Sequence, residues 1–195
     1  MVSDVFSRIY RGNEWNGIES LSGPGSGKAA TYALARELPA LVERLGITSV
    51  LDVACGDGYW MPDLPGYLGI DASPEAINLA KRRHPGRRYG VMEGADLTDA
   101  WHADLVICRD AIQHLSLYHG SMLVNAIRSV NARFLLLSTY PGRVNRDIST
   151  GDYYEPDLTV EPFSMPAPDE LIPDGYAYVG EGVRDPGKFL GLWRL

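Results

Sequence analysis

The chain has 195 residues, 45% of them apolar and 22% charged, which is enough for one full hydrophobic core and ordinary for a single globular domain. Its formal charge of −7 argues against a large phosphate-gripping surface, and no apolar run reaches the roughly 18 residues of a membrane span. The first residues lack the basic-then-apolar pattern of a secretory signal. The two cysteines, Cys55 and Cys108, form no CxxC pair, which argues against a disulfide frame or a structural zinc and points to a reducing cytoplasm.

Residues 1–27 are rich in Gly, Asn and Ser and show no clear periodicity. Between 28 and 45, Tyr32, Leu34, Leu38, Leu41, Val42 and Leu45 recur at near-helical spacing; Gly46 ends this helix and Pro39 should kink or divide it. Ser49–Val53 reads as a first strand, 59–64 as a short helix or turn, and Tyr67–Ile70 as a second strand. Ser73-Pro74-Glu75 combines a capping serine with proline at the first helical position, so a helix runs from there to about His84, where Pro85-Gly86 stops it. The basic knot of Lys81, Arg82, Arg83, His84, Arg87 and Arg88 reads as a solvated helix end that complements the helix dipole. Arg88–Met92 and Leu105–Cys108 are further strands, Ser121–Val130 a helix and Phe134–Tyr140 a strongly apolar fifth strand. Strands alternating with helices predict a parallel sheet with helices on both faces. Residues 141–174 carry six prolines and look like an ordered excursion of the lid or binding-loop kind. Tyr176–Gly180 and Lys188–Leu195 read as a closing hairpin with Pro186-Gly187 in its turn.

The most informative stretch is Val50-Leu51-Asp52-Val53-Ala54-Cys55-Gly56-Asp57-Gly58, followed by Asp71 at the end of the second strand. A buried strand runs into a glycine turn, and the next strand ends in an acid whose two oxygens suit the neighbouring hydroxyls of a ribose. The turn is not the G-x-G-x-x-G that seats a dinucleotide pyrophosphate, which argues against a nicotinamide oxidoreductase. It resembles the D-x-[GA]-x-G-x-G first motif of the class I S-adenosylmethionine (SAM)-dependent methyltransferases, with Ala54 where that family often has glycine.

That resemblance implies a Rossmann-like, mostly parallel seven-stranded sheet with an antiparallel C-terminal strand beside the fifth. It also implies SAM as cofactor, held by Asp52, Ala54, Cys55, Gly56, Gly58 and Trp60 around the first motif and by Asp71 and Ala72 at the ribose. Ala95, Asp96 and Leu97 would lie at the adenine, and Arg109 at the carboxylate of SAM or at an anionic substrate. Cys55 is expected to pack beside the cofactor and not to act as a nucleophile.

A helical turn from Asp110 would bring Asp110, Gln113 and His114 to one face, with His114 as general base and Asp110 orienting its ring. Trp15, Tyr140 and Asn145 are the expected substrate contacts, and no metal ligands are spaced for a site. The stretch Ser22-Gly-Pro-Gly-Ser-Gly-Lys28 fails as a phosphate loop, because serine stands at 22 and alanine at 29. It reads better as part of an N-terminal cover over the cofactor, together with Trp15, Glu19 and Ser20.

The expectation is one domain over 1–195: an N-terminal cap and helix (1–46), a cofactor-binding core (47–140), a substrate loop (141–174) and a C-terminal hairpin (175–195). The chain would move a methyl group from SAM to oxygen or nitrogen of a small molecule such as a sugar or natural product. The alternatives are a non-catalytic SAM-binding protein and, further off, a peptide or nucleic-acid methyltransferase.

Overall fold

A computed structural model of the chain describes residues 1–175 and 187–195. Helix α1 (Val2–Gly12) and helix α2 (Lys28–Arg44) precede strands β1 (Val50–Val53) and β2 (Leu68–Asp71). Helix α3 (Pro74–Arg83), strands β3 (Arg88–Val91) and β4 (His102–Cys108), helix α4 (Leu117–Ser129) and strand β5 (Asn131–Thr139) follow. Strands β6 (Glu170–Pro173) and β7 (Phe189–Arg194) close the order.

One seven-stranded sheet runs β3-β2-β1-β4-β5-β7-β6, with β7 alone antiparallel to its neighbours. Strand order reverses between β1 and β4, which leaves a crevice at the carboxyl ends of those strands. Strands β1, β4 and β5 are buried on both faces, hence their near-continuous apolar runs. On one face Val53, Val106, Leu135 and Leu137 pack against Leu123, Val124 and Ile127 of α4. On the other, Val50, Leu105, Ile107 and Leu136 meet Leu34, Leu38 and Leu41 of α2 and Ile77 of α3.

Four expectations need correcting. The N-terminal segment does contain a helix, because Val2, Phe6, Ile9 and Tyr10 form a stripe that packs inward while Asp4 and Arg11 complement the dipole at its two ends. Pro39 does not divide α2, which runs through it from Lys28 to Arg44, and Tyr32 lies on its exposed side. Residues 59–64, read as a short helix or turn, hold a bend at 59–60 and no helix. The strand beside the C-terminal one is Glu170–Pro173, at the end of the expected loop; Tyr176–Gly180 lies outside the described residues. The rest of that loop is no free flap, since Tyr154, Leu158, Phe163 and Met165 are buried in the α4-side core.

Leu136 is fully buried between Ile107 and Leu192 in the sheet. Leu136→Ala should therefore lower the unfolding free energy by about 2–5 kcal/mol in a urea titration, the range for a core cavity that cannot collapse.

Candidate active site

A cleft of about 670 Å³ opens at the strand reversal. Its floor is the turn after β1, where Ala54 (φ 59°), Gly56 (φ 61°) and Gly58 (φ 65°) all take the left-handed conformation. At Gly56 the requirement is doubled, because a Cβ there would run into the Ser22 hydroxyl and lie 2.9 Å from the Tyr10 hydroxyl. Ala54 holds the same backbone conformation with a methyl group, a strain of roughly 1–2 kcal/mol.

The wall is Asp71. One carboxylate oxygen accepts the Gly56 amide at 2.9 Å and the other the Ser73 amide at 2.8 Å, and the residue lines the cleft. Each oxygen keeps a lone pair for a further donor, which is what a pair of ribose hydroxyls needs. Burial pushes this carboxyl up to about 6, against the pull of the two amides. Beyond it, Ala95 and Asp96 reach the cleft from a single 3-10 turn, Gly94–Asp96, that packs on α4.

The roof comes from the N-terminal segment. Val2, Phe6 and Tyr10 of α1 line the cleft, with Trp15, Ser22 and Ser26. What seats this roof is Asp57, a carboxylate only 1% exposed. It accepts the Ser20 hydroxyl at 2.8 Å, the Leu21 amide at 3.0 Å and the Tyr59 amide at 3.2 Å, and it pairs with Arg83 at 3.0 Å. Its own amide donates to the Ser22 hydroxyl at 3.1 Å, and that hydroxyl also meets the Tyr10 hydroxyl at 2.5 Å. Glu19 accepts the first amide of α2 from Lys28 at 2.7 Å, so the glycine-rich stretch serves as a cover and a helix start.

A second cavity of about 290 Å³ shares Trp15, Ser22 and Asp110 with the cleft. Its other walls include Gly23–Gly25, Gln113, His114, Tyr140, Tyr153 and Lys188. His114 Nδ1 lies 2.8 Å from the Asp152 carbonyl, which can only accept, so Nδ1 carries the proton and Nε2 is the basic nitrogen. The ring sits against Trp15 (4.6 Å between centroids) and Tyr153 (5.6 Å). Burial pushes its pKa down, with the Asp152 bond pulling the other way.

Asp110 (φ 58°) stands where the two cavities meet. Its oxygens take Lys188 and Gln113, each at 2.6 Å, and Arg109 at 3.1 Å. Burial alone would raise the Asp110 pKa, but the adjacent guanidinium and ammonium hold it well below the usual carboxylate range.

The expected site residues thus fall into groups. Ala54, Cys55, Gly56, Trp60, Asp71, Ala72, Ala95, Asp96 and Arg109 line the cleft; His114 and Tyr140 line the second cavity, and Trp15 and Asp110 line both. Asp52, Gly58 and Leu97 do not line either. Asp52 is turned to the opposite face of β1, where it accepts the Tyr67 hydroxyl at 2.7 Å. Asn145 is a correction as well, because its amide staples its own loop through Asp157 and Glu161 and lies in neither cavity. The Asp110–Gln113 pairing follows the expected spacing, but the ring of His114 is oriented by the Asp152 carbonyl, not by Asp110.

Arg109 also differs from expectation. It is forked onto Asp174 at 2.9 and 3.0 Å, donates to the Gly25 carbonyl and stacks on Trp60, so its charge is already matched within the protein. The Cys55 thiol is buried and pushed up in pKa by that burial, which suits packing and not nucleophilic attack. Sequence reasoning missed the α1 face, Asp57, Asp174 and Lys188. The α1 stripe was the one available signal.

Among the described residues no three His, Cys, Asp or Glu side chains are grouped to hold a metal, and no helix is long and apolar enough to cross a membrane.

The strand order and glycine turn define a Rossmann-like methyltransferase fold. The family model for a methyltransferase domain matches residues 50–132, from β1 to the start of β5. Among solved structures, the magnesium protoporphyrin IX methyltransferase of Synechocystis with bound SAM is 18% identical. That match covers 75% of this chain and 79% of its own, with a TM-score of 0.52. A protein from the conversion of a disulfide bond into a thioacetal group in echinomycin biosynthesis is also 18% identical, covering 100% and 91%, with a TM-score of 0.65. The methyltransferase domain of a bacterial CtHen1 protein is 13% identical, covering 85% and 100%, with a TM-score of 0.61. No curated protein sequence matches the chain. Residues 50–132 thus carry the pattern of a methyltransferase domain, and these solved structures share its fold.

Two outcomes follow from the cleft. Binding ribose hydroxyls calls for ionised Asp71, whose pKa is about 6 in the free protein. SAM affinity by calorimetry should be flat above about pH 7 and fall by up to about tenfold per unit below about pH 6, as one proton competes with the ligand. Asp71→Asn should bind weakly at every pH and lose this dependence, and equal wild-type affinities at both ends of the range would contradict the assignment. Ala54→Gly should raise stability to heat or urea by about 1 kcal/mol, through relief of the left-handed strain.

Proposed function

We propose that the chain transfers the methyl group of SAM to a hydroxyl or amine of a small, ring-sized acceptor bound in the second cavity. The observation that carries this reading is the shared wall of Trp15, Ser22 and Asp110, with the basic nitrogen of His114 on the acceptor side. A volume near 290 Å³ is at the lower end of small-molecule sites and too small for a folded peptide or a nucleotide chain. Two structural relatives carry names that point the same way, one a magnesium protoporphyrin methyltransferase and the other from echinomycin biosynthesis.

The cofactor fits the residues present: Asp71 for the ribose, Ala95 and Asp96 for the base, and the 54–58 turn under the Tyr10–Ser22 roof for the amino-acid end. Bound SAM supplies a methyl carbon on a positively charged sulfur, and the pair of electrons in that bond returns to sulfur as the methyl leaves. The protein's part is alignment and proton removal. The acceptor hydroxyl or ammonium gives its proton to His114 Nε2, while Nδ1 stays bonded to Asp152 and fixes the tautomer. Burial favours the neutral imidazole needed to take that proton. Asp110 stays ionised between Arg109 and Lys188, which makes it a fixed anion beside the reacting pair and not the base.

His114→Ala should lower kcat by about 10²–10⁴ in a methyl-transfer screen of small alcohols, phenols and amines, and leave SAM affinity unchanged. Wild-type kcat in that variant would remove the base from His114. A wild-type chain that binds SAM yet methylates no acceptor would favour the non-catalytic reading.

A further inference from the structure

Strands β1 and β2 are parallel neighbours, a connection that usually carries an α-helix. Residues 54–67 hold none, so the carbonyls of this crossover have no helical partners. The basic knot at the end of α3 supplies them. Arg83 donates to the Asp57 carbonyl at 2.8 Å and Arg87 to the Met61 carbonyl at 2.8 Å. His84 Nε2 lies 3.0 Å from the Gly58 carbonyl and must donate, since a carbonyl only accepts. Arg88 reaches the Gly66 carbonyl at 3.1 Å.

The same arginines are tied down on their other sides. Arg83 bridges the Asp57 carbonyl and carboxylate and lies over the Tyr59 ring at 4.8 Å, and Arg87 is forked onto Asp63. Arg83, His84, Arg87 and Arg88 are therefore committed to the protein's own backbone, while Lys81 and Arg82 are exposed as the solvated-helix-end reading expects.

We propose that Arg83, His84 and Arg87 are positioning residues for SAM. They hold the 57–61 backbone in place of a crossover helix and, through Asp57, seat the Ser20–Ser22 cover on the glycine turn. None of the three lines the cleft. The chain from knot to cofactor is short: Arg83 fixes Asp57, Asp57 fixes Ser20, Leu21 and Ser22, and the Ser22 hydroxyl sits over Gly56 beside Tyr10. This inference rests on SAM occupying the cleft.

The test compares Arg83→Met and Arg87→Met with Arg133→Met. Arg133 makes the same kind of bond, to the Gly46 and Leu45 carbonyls, at the opposite end of the sheet. Calorimetry with SAM and with S-adenosylhomocysteine gives the affinities, melting gives stability, and hydrogen exchange follows the Leu21 amide. The knot variants should bind both ligands about tenfold more weakly, the scale of one lost charged hydrogen bond, with faster Leu21 exchange in Arg83→Met. Arg83→Lys should recover most of the affinity, because it keeps the ion pair with Asp57. Arg133→Met should melt earlier and bind as the wild type does.

Unchanged affinity in both knot variants, or an equal loss in Arg133→Met, overturns the proposal. If Arg83→Met does not fold, Arg87→Met is judged alone on the same scale, and wild-type affinity there overturns the proposal. An unaltered chain that fails to bind SAM would refute the cofactor reading itself, which is a separate result.

Discussion

A single buried carboxylate organises the cofactor side of this molecule. Asp57 sits inside the glycine turn, almost without solvent contact, and its two oxygens take donors from three separate parts of the chain. Stripping water from a carboxylate is expensive unless hydrogen bonds and a counter-charge replace it. Here the replacement comes from the N-terminal cover, the following turn and α3 together. The cost of burial makes these three parts interdependent: none can move off without leaving a bare charge behind. The floor and the roof of the cleft are thereby fixed by one ion.

A second buried charge system organises the wall between the cleft and the second cavity. Arg109, Asp110, Asp174 and Lys188 balance two positive charges against two negative ones where β4 ends and where β6 and β7 begin or finish. Such a network adds little net stability after desolvation, but its partners are hard to exchange for others. It ties the carboxyl end of β4, where methyl transfer is expected, to the C-terminal strands. It also keeps Asp110 in a left-handed conformation that a free loop would relax.

The parts legible in the sequence are those in which neighbouring residues carry the signal. The apolar runs of β1 and β5, the Ser73-Pro74 start of α3 and the Gly56–Gly58 turn each declare themselves within a few positions. Their order was enough for the sheet and for the methyltransferase-domain pattern over 50–132. What stayed hidden depends on residues far apart in the chain: Arg109 with Asp174, Asp57 with Ser20, His114 with Asp152. Arg109 looked free for a ligand because its partner lies 65 positions away. The knot after α3 looked solvated because a helix was allowed for in the crossover, and only its absence leaves carbonyls for the arginines. The α1 stripe is different in kind. Its spacing was present, but polar residues between its members and the glycines after it obscured the period.

The position of β7 has a consequence for the order in which the protein assembles. It follows β6 in the chain yet lies between β6 and β5, and among the described residues it is the only strand that β6 pairs with. Until β7 inserts, β5 presents a bare edge of apolar backbone and β6 has nothing to join. Strands β1 to β5 can pair without either of the last two, whereas β6 can join the sheet only after β7 has added to β5. Folding intermediates of this chain should therefore be sticky along β5, and a chaperone or a partner strand would find its purchase there.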